Sequence, residues 1–328
     1  MRREYTHCFR LQLERQSRWL LLHATPHAAT LSVMTPTYTS TVVIRALNEA
    51  AHIGRLLAGI ASQDHQPDEV VLVDSGSTDG TVEIAEKFGC EVIHMPPSEF
   101  TFGRALNWGC AAAKGDLLIF VSAHVYPLDP SWLGSLVAPF ETPQVGLTYG
   151  GQTGDSRSNF AELRLLDRWF PSEPDLDQDE PFCNNANCAI RRSLWEENQY
   201  DEDLAGLEDI AFARQIKSDG HRVAYVPSAR IAHVHEEGFR QTMNRYRREA
   251  IAYKAIFGRS EMSLVQAVAL GLTSIVSDAA AAVRSRQPEV IMPATSFRIA
   301  QFAGAYQGHR SDAAESRQIV RRMYYPRG

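Results

Sequence analysis

Short apolar runs alternate with helix-forming segments over residues 41–122, and this alternation restricts the possible fold more than any other feature of the chain. The β-rich runs cover residues 41–46, 69–74, 91–94 and 117–122, and helical spacing covers residues 48–62, 79–88 and 103–114. This order predicts an α/β fold with a mostly parallel sheet flanked by helices. Ligands of such sheets lie beyond the carboxyl ends of the strands, so the loops after Ala46, Asp74 and Ser122 are predicted to form one site.

The second half of the chain changes in character. Its pattern predicts a helix over residues 157–170, a strand over 183–191, a helix over 207–217, and two short strands, 222–226 and 230–235, around Pro227. From residue 238 onward the composition is helical and carries few motifs. We therefore expect an N-terminal arm (1–40), an α/β domain (41–237) and a C-terminal helical region (238–328).

The first forty residues differ from the rest, because arginines surround a short apolar patch near Trp19. The patch is too short for a signal peptide and has no small-residue cleavage site. Two interpretations remain for this arm: a surface-binding segment, or a start assigned too early, with Met34 as the true start. In either case we expect the arm to be poorly ordered.

Charge and cysteine content exclude some classes of function. The formal net charge of −6 over 328 residues gives no basic imprint of the kind that nucleic-acid-binding domains carry, so no nucleic-acid partner is expected. The five cysteines form no CxxC pair and no recognisable disulfide framework. An odd count in a long chain favours reduced thiols and a cytoplasmic setting.

The stretch Val70 to Thr81, V-V-L-V-D-S-G-S-T-D-G-T, is the first specific signal. A strand ends on Asp74, a turn containing glycine follows, and Asp79 opens a helix. An ordinary capped turn explains Asp79 but leaves Asp74 at the strand tip without a role. A carboxylate there can accept hydrogen bonds from a nucleobase N–H or from ribose hydroxyls.

Three motifs together resemble the family-two glycosyltransferases with the GT-A fold. They are V-I-R-A-L-N-E (43–49), D-S-G-S-T-D-G-T (74–81) and F-G-R-A-L-N-W-G-C-A-A-A-K-G-D (102–116), in the order and spacing of that family. The resemblance implies an inverting transfer from a nucleoside diphosphate sugar. The residues of the motifs are most similar to those of rhamnosyltransferase-like enzymes that build bacterial surface polysaccharides. It implies that the nucleotide contacts Arg45, Ala46, Asn48, Glu49, Asp74, Arg104 and Ser122.

The family's metal-binding Asp-x-Asp is replaced here by Ser122-Ala123-His124. A leaving diphosphate still develops negative charge, which a divalent cation such as Mn²⁺ or Mg²⁺, or fixed protein cations, must stabilise. His124 offers an imidazole nitrogen that suits Mn²⁺ better than Mg²⁺. His233 and His235 share one strand face and offer a second ligand. The alternative is that His124 hydrogen-bonds a phosphate and that the other two histidines pack or face solvent.

The run G-L-E-D-I-A-F-A-R, residues 206–214, is predicted to carry the catalytic carboxylates at the start of a helix. Negative charge at a helix N-terminus also has a purely structural explanation in the helix dipole. In the resembling family an acidic pair at this place supplies the general base. We assign that role to Asp209, with Glu208 as its neighbour or alternate.

Acceptor recognition is predicted from amides and aromatic rings. Asn184 and Asn185 precede the acidic helix, and an amide both donates to and accepts from a sugar hydroxyl. Trp169 can stack on a sugar ring, although turn-forming asparagines and a buried tryptophan are the alternatives.

The resemblance implies a glycan or lipid-linked acceptor, and two C-terminal features favour peripheral contact with the inner face of the cell membrane. The helix predicted over residues 239–257 is basic, and Arg245, Arg247 or Arg248 offers either lipid contact or a clamp for the diphosphate. The apolar run 264–283 contains Gln266 and Asp278, which disfavour a membrane span, so a buried or interfacial helix is expected.

Two other functions compete with sugar transfer. A nucleotidyltransferase would need a glycine-rich loop with a lysine after the first strand, and residues 45–48 do not supply one. A silent relative that only binds nucleotide sugars is conceivable because the Asp-x-Asp is absent, but the intact Glu208-Asp209 pair disfavours it.

Overall fold

The computed structural model describes residues 38–258 and 262–311. The predicted N-terminal arm, apart from its last three residues, and the alternative start at Met34 lie outside the described residues. So does the end of the predicted C-terminal helical region, residues 312–328.

Eight strands of the described chain form one sheet. They are β1 (Ser40–Ala46), β2 (Glu69–Asp74), β3 (Glu91–His94), β4 (Leu117–Ser122), β5 (Val125–Pro127), β6 (Val145–Thr153), β7 (Asn187–Arg191) and β8 (Arg222–His233). The order across the sheet is β3-β2-β1-β4-β7-β6-β8-β5. The first four of these are mutually parallel, β6 and β8 are parallel, and β7 and β5 run antiparallel to their neighbours.

Ten α-helices flank this sheet or follow it in the described residues. They are α1 (Ile53–Ala61), α2 (Thr81–Lys87), α3 (Phe102–Ala112), α4 (Trp132–Val137), α5 (Phe160–Trp169), α6 (Arg192–Glu197), α7 (Glu208–Ser218), α8 (Phe239–Phe257), α9 (Leu264–Arg284) and α10 (Ile291–Arg310). The predicted α/β class with a C-terminal helical extension is confirmed.

Alternate residues of β1 point to opposite faces of the sheet and therefore into two different cores. Val42 and Ile44 pack with α1 and α4 in one core. Val43 packs with α3 and α7 in the other core. Both faces of the central strands are buried, which explains why residues 71–73 of β2 and 117–121 of β4 are all apolar.

Two details of the predicted strands are wrong. Residues 222–226 and 230–235 were expected as separate strands, but Arg222–His233 is one strand, and an irregularity in its pairing with β6 near Gly150 accommodates Pro227. The strand predicted over residues 183–191 begins only at Asn187. The preceding residues form a turn, in which the Asn187 N–H donates to the Asn184 carbonyl at 3.0 Å.

The C-terminal helices are held to the sheet by close packing and by buried charge. Gly304 and Gly308 of α10 lie directly against backbone carbonyls of α8, where any larger residue would overlap them. Asp278 of α9 is buried and accepts hydrogen bonds from Arg164 at 2.8 Å and Arg298 at 2.7 Å. A buried carboxylate is costly without its cationic partners, so Asp278 fixes α9 to Arg164 of α5 and to Arg298 of α10.

Candidate active site

The predicted catalytic pair begins α7 at the carboxyl edge of the sheet. Glu208 is buried, and its Oε1 accepts a hydrogen bond from the Arg45 guanidinium at 3.1 Å. Arg45 lies on β1 beside Ser122 at the end of β4. This ion pair therefore joins the start of α7 to the strand ends where ligands of such sheets bind. The structure shows an internal carboxylate partner for Arg45, whose contact with a nucleotide stays a prediction.

Asp209 has a different environment from its neighbour. Its carboxylate accepts a hydrogen bond from the Asn185 backbone N–H at 3.1 Å and from the Ile210 N–H at 2.8 Å. Burial and the adjacent Glu208 charge raise the pKa of Asp209 to about 7. A carboxylate with a pKa near neutrality accepts a proton more readily than an ordinary aspartate, so Asp209 suits general base catalysis.

The segment that leads into α7 is held in place by Asn107 of α3. Its amide nitrogen donates to the Tyr200 carbonyl at 2.9 Å, and its amide oxygen accepts from the Trp195 indole N–H and the Tyr200 N–H, both at 3.0 Å. Sequence analysis did not single out Asn107. Its signal was a polar side chain on the otherwise small and apolar face of a predicted helix.

The loops after β1 and β2 are joined by hydrogen bonds. The Asn48 N–H donates to the Ser77 hydroxyl at 2.8 Å, and the Asn48 side chain accepts from the Thr78 N–H at 2.9 Å. The Ala46 carbonyl accepts from the Ser75 N–H at 3.1 Å. Asn48 adopts a left-handed conformation with φ of 56°, which asparagine tolerates better than most residues. These contacts bring the predicted nucleotide-binding residues together.

Asp74 shapes the turn that follows β2. Its carboxylate accepts hydrogen bonds from the N–H groups of Gly76 at 3.1 Å and Ser77 at 3.2 Å, and the residue is only 3% exposed. Gly76 has φ of 101° and lies against Pro97, so a side chain there would be strained and would also clash. The sequence analysis found no structural role for Asp74, and the structure supplies one.

Arg104 begins α3 but its charge is already paired. Its guanidinium donates to Glu202 at 2.6 Å and to the Glu99 carbonyl at 2.9 Å. A second cation lies nearby, because the Arg248 guanidinium carbon of α8 is 4.8 Å from the centre of the Phe102 ring, and the Arg45 guanidinium carbon is 5.0 Å from the same centre. The Nε of Arg248 is buried and has no hydrogen-bond partner in the described part of the chain.

His124, His233 and His235 come together, although more than a hundred residues separate the first from the other two. One ring nitrogen from each lies within 4.8 Å of the others. The Nε2 atoms of His124 and His233 are 3.1 Å apart, and the ring centres of His233 and His235 are 4.2 Å apart. Two imidazole nitrogens bound about 2.1 Å from one ion are roughly 3.0–3.4 Å apart, so His124 and His233 have the spacing of two ligands of one divalent metal ion.

An oxygen atom faces the other ring nitrogen of each histidine. The Nδ1 of His124 lies 3.0 Å from Glu49, that of His233 lies 2.9 Å from Gln152, and that of His235 lies 3.0 Å from Glu162. Burial, together with neighbouring positive charge, holds the pKa of His233 and His235 well below the usual value. Both rings are therefore neutral near pH 7, the form in which imidazole binds metals.

Arg245 belongs to the surroundings of this cluster. Its guanidinium donates to Glu162 at 2.8 Å and to Glu237 at 2.8 Å, and these carboxylates help to raise its pKa. Of the three arginines considered as a diphosphate clamp, Arg245 thus has its charge balanced within the protein.

The three residues predicted to bind the acceptor differ in burial and in the contacts of their side chains. Asn184 is used in a turn, where its side chain accepts from the Ala186 N–H at 2.9 Å. Trp169 is partly buried and packs against two hydrophobic clusters. Asn185 is 4% exposed, lies beside Asp209, and neither polar atom of its side chain has a hydrogen-bond partner among the described residues. A buried amide without partners is costly, so Asn185 is the strongest candidate of the three for ligand contact.

Comparison with known proteins bears on the family and the fold of this chain. Residues 41–198 match the family described as Glycosyl transferase family 2. The chain is 26% identical over 195 residues to an O-antigen chain rhamnosyltransferase of Salmonella anatum, covering 56% of this chain and 62% of that protein. It is 26% identical over 220 residues to an O-antigen chain rhamnosyltransferase of Salmonella typhimurium, covering 63% of this chain and 69% of that protein.

The fold has a solved counterpart over nearly its whole length. The mannosyltransferase PcManGT of Pyrobaculum calidifontis, solved in complex with GDP-Man and Mn²⁺, has a TM-score of 0.63 and 20% sequence identity. The similarity covers 92% of this chain and 96% of that one. At this identity the likeness establishes the fold.

Proposed function

We propose that this chain, a member of glycosyl transferase family 2 with the GT-A fold, transfers a sugar from a nucleoside diphosphate donor to an acceptor hydroxyl with inversion of configuration. The observation that carries the proposal is Asp209, a carboxylate with a raised pKa beside the strand ends where such donors bind. The named relatives support a deoxyhexose such as rhamnose as the sugar and a surface polysaccharide as the product.

In the proposed reaction Asp209 acts as the general base. Its carboxylate removes the proton from the acceptor hydroxyl while that oxygen attacks the anomeric carbon. The bond from this carbon to the diphosphate oxygen breaks on the opposite face, and the diphosphate leaves with the electron pair. One displacement inverts the anomeric centre, and one carboxylate suffices because the diphosphate departs without protonation.

The leaving diphosphate needs positive charge near it. We propose that His124, His233 and His235 would hold a divalent cation, which when bound offsets the developing charge on the diphosphate. Arg248 would provide a second, fixed positive charge, because its buried Nε has no partner in the described residues. Asn48, Asp74 and Ser122 line the same strand ends and would bind the nucleoside.

The acceptor is proposed to be a glycan carried on a lipid, met at the inner face of the cell membrane. Within the described residues α9 is long and apolar enough to cross a bilayer, with a mean hydropathy of 1.5. Its buried Asp278 is fixed to α5 and α10, which favours a helix lying on the membrane surface. Exposed Val265, Val276 and Val283 would enter the lipid, and Arg284 would meet anionic head groups.

Substitution of Asp209 tests the proposed base. Asp209→Asn should lower sugar transfer by about 10²–10⁴-fold while the protein still binds nucleotide, because the amide keeps the shape but accepts no proton. Binding of UDP, GDP and dTDP is measured by calorimetry. Turnover is measured as nucleoside diphosphate release from dTDP-rhamnose, GDP-mannose and UDP-glucose with a polysaccharide-derived acceptor.

The matched control is Asp203→Asn, which neutralises an exposed carboxylate close to the same helix and should leave turnover unchanged. Undiminished turnover in Asp209→Asn would remove Asp209 as the base. Nucleotide binding without transfer in the wild-type protein would favour the silent relative, and a product that retains its anomeric configuration by NMR would exclude direct displacement.

A further inference from the structure

Each of the three clustered histidines has one nitrogen turned outward to an oxygen and one turned inward. The outward nitrogen is Nδ1 in all three rings, and the oxygens belong to Glu49, Gln152 and Glu162. These oxygens come from the loop after β1, from β6 and from α5. Three separate elements thus supply the same contact to the three rings.

We propose that Glu49, Gln152 and Glu162 are positioning residues that fix a neutral three-imidazole metal centre, selective for Co²⁺, Zn²⁺ and similar transition ions and closed to Mg²⁺. The proposal rests on the proposed function and specifies the cation of that same site. Each outer oxygen accepts the Nδ1 proton of its ring, and the Nε2 lone pair of each ring is left available to the ion.

The contact between His124 and His233 supports this arrangement. When both Nδ1 atoms donate to oxygens, both Nε2 atoms carry lone pairs, and these face each other at 3.1 Å. Two lone pairs at that distance repel, and a shared cation removes the repulsion. The competing description is a hydrogen bond between the two rings, in which the Nε2 of one donates to the Nε2 of the other.

Two of the residues that supply the outer oxygens are themselves held in place. Gln152 is 5% exposed, and its amide nitrogen is buried without a hydrogen-bond partner among the described residues. A buried amide group that leaves one polar atom unused is unfavourable, yet it presents its oxygen to His233. Glu162 is held by Arg245 as well as by His235, so its carboxylate cannot turn away from the ring.

The ligand type sets the choice of ion. Imidazole nitrogen suits Zn²⁺, Co²⁺ and Fe²⁺, whereas Mg²⁺ requires oxygen ligands, and affinity for nitrogen sites rises from Mn²⁺ through Fe²⁺ and Co²⁺. The carboxylates of Glu49 and Glu162 contact the Nδ1 side of the rings. Among the described residues the grouped donors are three imidazoles, so the protein offers nitrogens where a magnesium ion needs oxygens.

Direct metal binding, measured without any sugar donor, tests the proposal. Co²⁺ titrated into the full-length apoprotein should produce visible d–d absorption bands with one ion per chain, and about a 100-fold excess of Mg²⁺ should not diminish them. Mn²⁺ binding, followed by the loss of its free-ion EPR signal, should be weaker than Co²⁺ binding. Equal competition by Mg²⁺ would overturn the proposal. So would the absence of Co²⁺ binding, which would favour a hydrogen bond between His124 and His233 as the explanation of their contact.

Two substitutions of one residue separate positioning from packing. Gln152→Met removes the acceptor oxygen with similar volume and should weaken Co²⁺ binding by about 10–100-fold, whereas Gln152→Glu keeps an oxygen and should bind within about threefold of wild type. The control is Gln178→Met, since Gln178 is 2% exposed and bonds to Tyr149 rather than to the cluster. It should lower stability without changing Co²⁺ affinity, and equal Co²⁺ affinity in Gln152→Met and wild type would overturn the positioning role.

The outcome does not depend on the transfer assay. Selective Co²⁺ binding in a protein that transfers no sugar would contradict the proposed function alone. Sugar transfer by a protein that binds no transition ion would contradict this inference and the cation proposed for the histidines, while the transfer assigned to Asp209 would stand.

Discussion

At the residue scale, two adjacent carboxylates have been given different electrostatic environments. Glu208 is paired with Arg45, which stabilises its charge. For Asp209, burial and the Glu208 charge raise the pKa, and two backbone N–H groups only partly offset this rise. Adjacent acids in different environments commonly have divided roles, here an ion-paired partner and the proposed base.

The pH dependence of turnover follows from this arrangement. Since the base must be deprotonated, kcat/KM should rise as the pH increases through about 7, the pKa of Asp209. Glu208→Gln removes the neighbouring negative charge and frees Arg45, and both changes lower the pKa of Asp209. The acidic limb of the pH–rate profile should therefore move to lower pH in Glu208→Gln.

This shift is measured in initial rates of nucleoside diphosphate release across the pH range, with Asp203→Asn as the exposed-charge control. A limb that stays in place in Glu208→Gln, or that moves to higher pH, would show that another group titrates.

At the element scale, α3 supports the start of α7 through Asn107. Its amide satisfies buried groups of Trp195 and Tyr200, on the segment between α6 and α7. Asn107→Ala should lower the free energy of unfolding by about 2–3 kcal/mol, because it leaves buried donors and a buried carbonyl unsatisfied. Turnover should fall as well, since the start of α7 loses its support.

Denaturant unfolding and the transfer assay check both effects of Asn107→Ala. Asn198→Ala changes a partly exposed asparagine on the same segment and serves as the control. Full activity in Asn107→Ala, together with the expected loss of stability, would show that the start of α7 does not depend on this anchor.

The elements also show what the sequence pattern could predict. Strands β2 and β4 were predicted with correct bounds, because a run of consecutive apolar residues is the signature of a buried strand. The bounds of the short, partly exposed strand β3 were also correct. Strand β6 was not predicted, since V-G-L-T-Y-G-G-Q-T is rich in glycine and polar residues. Gly150 is required there because the Ala229 carbonyl and the Asn187 side chain approach it closely, a reason that exists only in three dimensions.

The candidate site divides in the same way. Glu208, Asp209 and the three histidines could be proposed from the sequence because their side chains are typical of acid–base and metal chemistry and the resemblance gave their order. Gln152 and Glu162 were missed, because a glutamine in a strand and a glutamate in a helix are ordinary until the fold places them beside a histidine. Arg45 and Arg104 were expected to be available to the nucleotide, and the sequence did not reveal their internal carboxylate partners.

At the scale of the whole molecule, α9 presents an apolar surface that nothing in the described residues covers. Val265 is 78% exposed, Leu272 58% and Val276 66%. These side chains recur at helical spacing, so they form one stripe along the helix. A continuous apolar stripe on the outside of a protein marks a contact surface, here proposed to meet lipid.

Introducing charge into the stripe should abolish membrane contact. The double substitution Leu272→Glu/Val276→Glu should reduce flotation with phosphatidylglycerol-containing vesicles to background, because burying carboxylates in lipid is unfavourable and they repel anionic head groups. Gln266→Glu, which adds an exposed charge to the same helix, provides the comparison. Wild-type protein that stays with the soluble fraction and forms dimers by sedimentation would assign the stripe to a second copy.

The three histidines also bear on how the chain keeps its shape. The His124–His233 contact joins residues 109 positions apart, and it ties the loop after β4 to the last strand of the sheet. An ion held by both would act as a reversible cross-link that closes a long loop, and such links cost the unfolded chain more freedom the longer the loop. The loaded protein would then unfold more slowly and resist proteolysis better than the empty one, so the supply of metal would govern its lifetime as well as its chemistry.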